Sequence, residues 1–227
     1  MKKNLLISGV GKVGKYIYDL AESLNFSVVC CIDNNRFIKV DCPIYSSFDE
    51  VKENVDIIID FSSNALCMQA VEFALKNKCV FITGTTALSN KTINRINVLS
   101  KSVAVCVATN FSQGMSVVYE IAKYAIEHLS QFDVELVELH NCLKKDAPSG
   151  TAKKIASLLS IKNVHSLRGG DAAGVHTIYL LGKGEEITIT HRAYTKEIFA
   201  YGALQAAKII CNKSSGLYCV EELFNEN

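Results

Sequence analysis

Short apolar runs alternate with amphipathic stretches from the first residues of the chain. Leu5-Leu6-Ile7 reads as a strand, and behind it Val13, Ile17, Leu20, Ala21 and Leu24 recur at helical spacing. A second run, 27–32, stops at Asp33. Residues 57–61 form a third strand, apolar as a strand covered on both faces should be. A helix over 64–77, a strand over 79–83, a helix over 90–100 and a strand over 103–107 continue the series. Such alternation predicts a mostly parallel sheet layered between helices.

After Phe111 the rhythm changes. A helix over 114–128 carries Val118, Ile121, Ala122, Ala125 and Leu129 on its apolar stripe. The alternating run 132–140 reads as a strand whose apolar residues change faces midway, from Phe132, Val134 and Leu136 to Val137 and Leu139. Pro148 and Ser149 are helix-start signals, and Ala152, Ile155, Ala156 and Leu159 line the helix over 151–160 that follows. Strand-like pieces at 165–168, 176–181 and 185–191 are joined by Gly169-Gly170-Asp171 and Gly182-Lys183-Gly184, connections suited to hairpins. A last helix over 198–212 is expected to pack back on the first half. The pattern gives an α/β fold in two domains. Residues 1–111 with 197–227 form the first, and 112–196 form an inserted α+β domain, with hinges near Phe111 and Lys196.

Composition narrows the class. The 227 residues can bury a substantial core; about half are hydrophobic and the formal net charge is +1, so neither disorder nor a broad nucleic-acid surface is indicated. Nine cysteines lack Cys-x-x-Cys spacing, which leaves metal-ribbon and thioredoxin-like readings unsupported. No apolar run approaches membrane-spanning length, and the short apolar start breaks at Gly9 and Lys12. A cytoplasmic protein with reduced thiols, no metal, no nucleic-acid partner and no membrane partner is the expectation.

Two segments carry chemistry. Gly9-Val10-Gly11-Lys12-Val13-Gly14 sits between strand and helix, and Asp33 ends the next strand about 20 residues on. That context predicts a Rossmann-type, doubly wound sheet binding a nicotinamide dinucleotide: glycines admit the pyrophosphate, and Asp33 accepts from the ribose. Arg36 or Lys39 could instead pair a ribose phosphate, so NADH and NADPH both stay open. Gly84-Thr85-Thr86 and Ala108-Thr109-Asn110-Phe111 follow later strands, where such sheets place their ligands. The second segment, 135–152, brings Glu138 and His140 onto one strand face, then Lys144 and Lys145 in a loop. The Gly150–Thr151 helix start can then hold a carboxylate. Taken singly, each of these residues is better explained as a core or surface histidine, a solvated lysine pair or a plain cap. Glu138 is balanced between orienting the ring and being a solvated carboxylate. Together they point to an acidic small molecule that is protonated.

The segment Glu135-Leu-Val-Glu-Leu-His140-x-x-x-Lys144-x-Asp146-Ala-Pro-Ser-Gly-Thr-Ala152 resembles the signature of dihydrodipicolinate reductases. Asp60-Phe-Ser, Gly84-Thr-Thr86, Asn110-Phe-Ser112, Arg168-Gly-Gly-Asp171, His176-Thr177 and Phe199-Ala-Tyr-Gly202 follow as landmarks in order, over essentially the whole chain. The resemblance implies NAD(P)H-dependent reduction of a cyclic dicarboxylate in the diaminopimelate branch of lysine biosynthesis. It also implies a homotetramer built through the inserted domain's sheet. His140 matches the proton donor, Lys144 a second catalytic group, and Asn141, Gly150 and Thr151 the substrate contacts. The chain departs from the family in Asn141 for a second histidine, in one residue fewer in the glycine turn, and in Lys196 for an arginine. A dinucleotide-binding redox sensor and another amino-acid dehydrogenase of this architecture are the alternatives.

Overall fold

The computed structural model describes residues 2–35 and 37–225; Arg36, considered above for a ribose phosphate, lies outside them. The chain divides into two compact units, 1–111 with 197–227, and 112–196.

The first unit is built on a seven-stranded sheet, its strands numbered along the whole chain: β1 (Lys3–Ser8), β2 (Phe26–Ile32), β3 (Ile44–Tyr45), β4 (Ile57–Asp60), β5 (Val80–Thr83), β6 (Ala104–Val107) and β11 (Gly216–Tyr218). The order is β11-β6-β5-β4-β1-β2-β3, parallel in every pairing, so strand order reverses beside β1. Such a switch point is where open α/β sheets take ligands. Successive residues of the apolar strands serve opposite faces. Leu5, Ile7, Ile57 and Ile59 pack with α1 (Lys12–Ala21) and α6 (Glu197–Ile210). Leu6, Ile58 and Phe81 pack with α2 (Asn64–Asn77) and α3 (Asn90–Leu99). Covering on both sides is why these strands carry no polar alternation. The two-residue β3, the three-residue β11 and the short α7 (Val220–Asn225) have no expected counterpart, being too short to show a period.

The second unit holds α4 (Gln113–His128), β7 (Asp133–His140), α5 (Gly150–Leu159), β8 (Asn163–Arg168), β9 (Gly174–Gly182) and β10 (Glu185–Ala193). Its sheet runs β10-β9-β7-β8, with β7 and β8 parallel and β9 antiparallel to both β7 and β10. Leu136, Ile178 and Leu180 meet Met115, Tyr119, Ala122, Ala152 and Ile155 of α4 and α5 in one core.

Three expectations need correcting here. Gly169-Gly170-Asp171 is no hairpin, because β7 lies between β8 and β9 and the chain must pass it; glycine content marks a turn but not which strands it joins. Ile121 is half exposed, since the buried face of α4 runs through Met115, Tyr119 and Ala122. The strand at 133–140 does not change faces. Leu136, Glu138 and His140 all point inward, as an unbroken period of two requires. What changes along that face is polarity.

Gly202 lies inside α6, where alanine would ordinarily gain about 1 kcal/mol in helix propensity. A Cβ there would fall 1.7 Å from the Phe111 carbonyl oxygen, so helix and chain would have to separate. Gly202→Ala is expected to lower stability by about 1–3 kcal/mol, read as a drop in melting temperature. An equal or higher melting temperature would show the contact is not tight.

Candidate functional site

Within the second unit the sheet register sets side chains in rows. Ser166 of β8, Glu138 of β7, His176 of β9 and His191 of β10 stand side by side, and Arg168 is paired with His140 in the next row. Glu138 is fully buried, and its carboxylate is fully used. Arg168 grips it with two N–H groups, Nη1 to Oε2 at 2.9 Å and Nη2 to Oε1 at 2.7 Å. His140 Nδ1 lies 2.5 Å from Oε2, and the Ser149 amide donates to Oε1 at 3.2 Å. The reading of Glu138 as a solvated carboxylate is therefore excluded. Burial pushes its carboxyl up, but hydrogen bonds from Arg168, Ser166 and His140 outweigh that and hold it at about 2.

An ionised carboxylate only accepts, so His140 must carry its proton on Nδ1. Nε2 is left as the end that can take up and release a proton. Gly174 keeps that end accessible: a Cβ there would stand 3.0 Å from His140 Nε2. Burial pushes the imidazole below its ordinary pKa; Glu138 pulls it up, and the charges of Lys144 and Arg168 push it down again. His176 packs edge-on against it with ring centroids 5.3 Å apart, held down to about 3 by burial and so neutral. Sequence reasoning gave no role to Arg168 or Gly174. Arg168 stood out only as part of a family landmark, and Gly174 not at all; the sheet register is what sets both around His140.

The helix start is capped by Ser149, whose hydroxyl accepts from the Ala152 amide at 3.1 Å and touches His176 Nε2 at 3.3 Å. Gly150 faces open space at the start of the helix, where backbone N–H groups point outward. An anion can sit there within a residue or two of the Glu138 network. Lys144 is not a free cation: its Nζ pairs with Asp146 Oδ1 at 2.7 Å, half in solvent. The Asn141 carboxamide oxygen accepts from the Leu143 amide at 3.1 Å, which leaves its NH2 for other partners.

In the first unit the glycine turn is packed tightly against the strands behind it. Gly9 takes φ +84° and packs on Phe61 and Ser62; a Cβ on Gly14 would fall 2.0 Å from the Gly9 carbonyl oxygen, so helix and strand approach closely. Gly11 caps α1 without a side-chain partner and opens onto free space, with Lys12 exposed beside it. Val10 is buried and Val13 partly so, which restricts both to backbone contacts with a ligand. Asp33 Oδ2 accepts from the Val10 amide at 2.7 Å and Oδ1 from the Asn35 amide at 2.8 Å. A carboxylate has further lone pairs for ribose hydroxyls. Lys39 is exposed.

Beneath this turn, Asp60 is fully buried among hydroxyls. Ser8 donates at 2.8 Å, Thr83 and Thr85 at 2.7 Å each, and Ser62 closes the set. One carboxylate thus ties together the ends of β1, β4 and β5 and fixes Gly84-Thr85-Thr86, where Thr86 is exposed. In the last loop Thr109 is exposed, whereas Ala108 and Asn110 are buried. Phe111 packs its ring against Phe61 at 5.6 Å and offers a ligand only its backbone.

Comparison with known proteins agrees with this geometry. The family model described as dihydrodipicolinate reductase, N-terminus, matches residues 3–111, and that for the C-terminus matches 114–224. The chain is 37% identical to the 4-hydroxy-tetrahydrodipicolinate reductase of Caldanaerobacter subterraneus subsp. tengcongensis, over 98% of each. It is 36% identical to that of Thermosipho africanus, over 95% of this chain and 94% of the relative. The solved dipicolinate-bound dihydrodipicolinate reductase of Paenisporosarcina sp. TG-14 superposes with a TM-score of 0.79 at 21% identity, covering 98% of this chain and 99% of that one. Aspartate dehydrogenase from Thermotoga maritima, at 16% identity and a TM-score of 0.60 over 92% of this chain and 96% of its own, shares the fold alone. With both halves matched in order and a third of residues identical along the whole length, the chain belongs to the dihydrodipicolinate reductase family.

Proposed function

We propose that this protein is a 4-hydroxy-tetrahydrodipicolinate reductase, forming tetrahydrodipicolinate from the cyclic dicarboxylate imine in the diaminopimelate route to lysine. The observation that carries this reading is the buried Glu138–His140 pair, with Gly174 leaving room at Nε2. NADH or NADPH supplies a hydride when bound. Gly9 to Gly14 hold its pyrophosphate, Asp33 its adenosine ribose, and Gly84–Thr86 with Ala108–Phe111 the nicotinamide end. An acidic Asp33 already gripping the turn favours hydroxyls over a phosphate at that ribose. In this reading residues 1–111 and 197–227 serve the dinucleotide, and 112–196 serve the substrate and assembly.

The Gly150–Thr151 turn holds one substrate carboxylate, and Asn141 offers its NH2 to the substrate. Lys144 exchanges its half-solvated partner Asp146 for the substrate's anion. His140 delivers the proton from Nε2, while Glu138 stabilises the imidazolium through Nδ1–H. Arg168 keeps Glu138 ionised, so the proton is not lost to it. Assembly is a homotetramer through the outer sheet face, where exposed Leu167 pairs with half-buried Leu139 opposite the Glu138 side. Nine free thiols fit a cytoplasmic location, and no helix among the described residues is long and apolar enough to cross a membrane.

Coupled to dihydrodipicolinate synthase with pyruvate and aspartate semialdehyde, the protein is expected to oxidise the reduced nicotinamide only when both enzymes are present. Oxidation with semialdehyde alone would instead indicate a different dehydrogenase. In the same assay His140→Gln should lower kcat by ~10²–10⁴-fold with little change in KM. Wild-type turnover would remove the imidazole from the chemistry.

The pH profile tests Glu138. Protonated His140 is the active form, so kcat/KM should fall as pH rises through a value below the ordinary histidine pKa. Glu138→Gln removes the group that pulls this value up and should shift the falling limb to lower pH; an unmoved limb would reduce Glu138 to packing. For the dinucleotide, Asp60→Asn puts an amide among hydroxyl donors and should weaken NADH binding about tenfold or more in a fluorescence titration. Dipicolinate affinity should be unchanged, and equal loss of both ligands would mean general unfolding.

A further inference from the structure

Cys31 lies near the end of β2, two residues before Asp33, and Cys42 precedes Pro43 at the approach to β3. Although 11 positions separate them, their sulfurs are 3.6 Å apart. The backbone enforces this: the Cys31 amide donates to the Pro43 carbonyl at 2.9 Å, and the Asp33 amide to that of Tyr45 at 3.0 Å. Cys31 is fully buried. Cys42 is half-buried and lines an open cavity of about 360 Å³ with Tyr18, Glu22 and Asp41. Adjacent Cys30 belongs to the core on the other sheet face and cannot compete for either sulfur. The arrangement is a reachable thiol with a shielded one directly behind it.

We propose that Cys31 and Cys42 are an oxidisable dithiol, a modification site that a hydroperoxide closes to a disulfide and that thereby weakens dinucleotide binding. The covalent part stands on the sulfur geometry alone; the effect on binding rests on the dinucleotide reading above. The contact with Cys31 lowers the Cys42 thiol below its ordinary pKa, whereas the contact with Cys42, aided by burial, raises Cys31. Cys42, being the reachable member, is the sulfur a peroxide meets first, and its thiolate is the nucleophile. Its sulfur attacks one peroxide oxygen, the O–O bond breaks, and the departing oxygen takes a proton and leaves as water. Cys42 is then a sulfenic acid. Cys31 sulfur attacks Cys42 sulfur, the S–O bond breaks, and the hydroxide leaves with the Cys31 proton as a second water. Two thiols lose two electrons and one hydrogen peroxide is reduced.

A disulfide needs sulfurs about 2.0 Å apart, so the pair must close by roughly 1.5 Å. The segment between them is anchored to the glycine turn and to the helix that follows it. The Asp41 amide donates to Tyr18 Oη of α1 at 2.7 Å, and Asp33 accepts from the Val10 amide. Drawing Cys42 toward β2 pulls on both anchors and displaces Asp33 from the ribose position.

The experiment treats the full-length protein with one equivalent of hydrogen peroxide, alkylates the remaining thiols and maps the peptides. A Cys31–Cys42 linked peptide is the expected product. Alkylation of both residues, or a Cys42 joined elsewhere or oxidised to the sulfinic acid without linkage, would overturn the proposal. In parallel, KM for NADH should rise about threefold to tenfold with kcat at saturation unchanged, reversibly with dithiothreitol and not in Cys42→Ser. Linkage without a KM change would overturn the coupling to binding. A protein that forms the link yet never oxidises nicotinamide, even when reduced, would refute the reductase reading and leave the dithiol intact.

Discussion

The second unit is organised by a carboxylate that cannot be in water. Glu138 extends the buried face of β7 past Leu136, and a bare anion at that depth would cost several kcal/mol. Arg168 matches it in charge and shape, while the Ser149 amide and His140 Nδ1 take up its remaining acceptor capacity. Each partner comes from a different place: a parallel neighbour strand, a helix cap, and the same strand two residues on. Satisfying one ion therefore fixes where β8 ends, where α5 begins and which nitrogen of His140 carries a proton. The chemistry follows from that last consequence.

The first unit uses a similar device with neutral donors. Asp60 gathers hydroxyls from the ends of three strands, so the loops that a dinucleotide would touch are set by one buried anion and not by their own stiffness. Asp33 extends the arrangement outward by holding the glycine turn through Val10. In each unit a buried carboxylate thus fixes the strand ends and loops around it. The Cys31–Cys42 contact lies two residues from Asp33, beside the segment that holds the glycine turn.

Periodicity and composition carried the layered fold far into the chain, because apolar runs and helical stripes are local properties. The helix over 64–77 could be read directly, and the glycine turn could be read from its position between strand and helix. Elements of two or three residues escaped, since a period needs repetition. The apparent face change at 132–140 arose from counting apolar residues. A buried polar pair continues a core face as well as leucine does, provided its partners exist, and those partners are distant in sequence.

The sequence by itself determined which residue types were available and how they were spaced: a histidine two residues after a glutamate on one strand, a serine-capped helix start, a glycine turn followed by an acid. Strand period and helix capping are local, so these followed without a structure. Tertiary structure decided what the residues do, because burial, ion pairing and access depend on neighbours supplied by other strands. Arg168 made Glu138 an ion, Gly174 left Nε2 open, Asp146 occupied Lys144, and the β2–β3 pairing set Cys42 against Cys31.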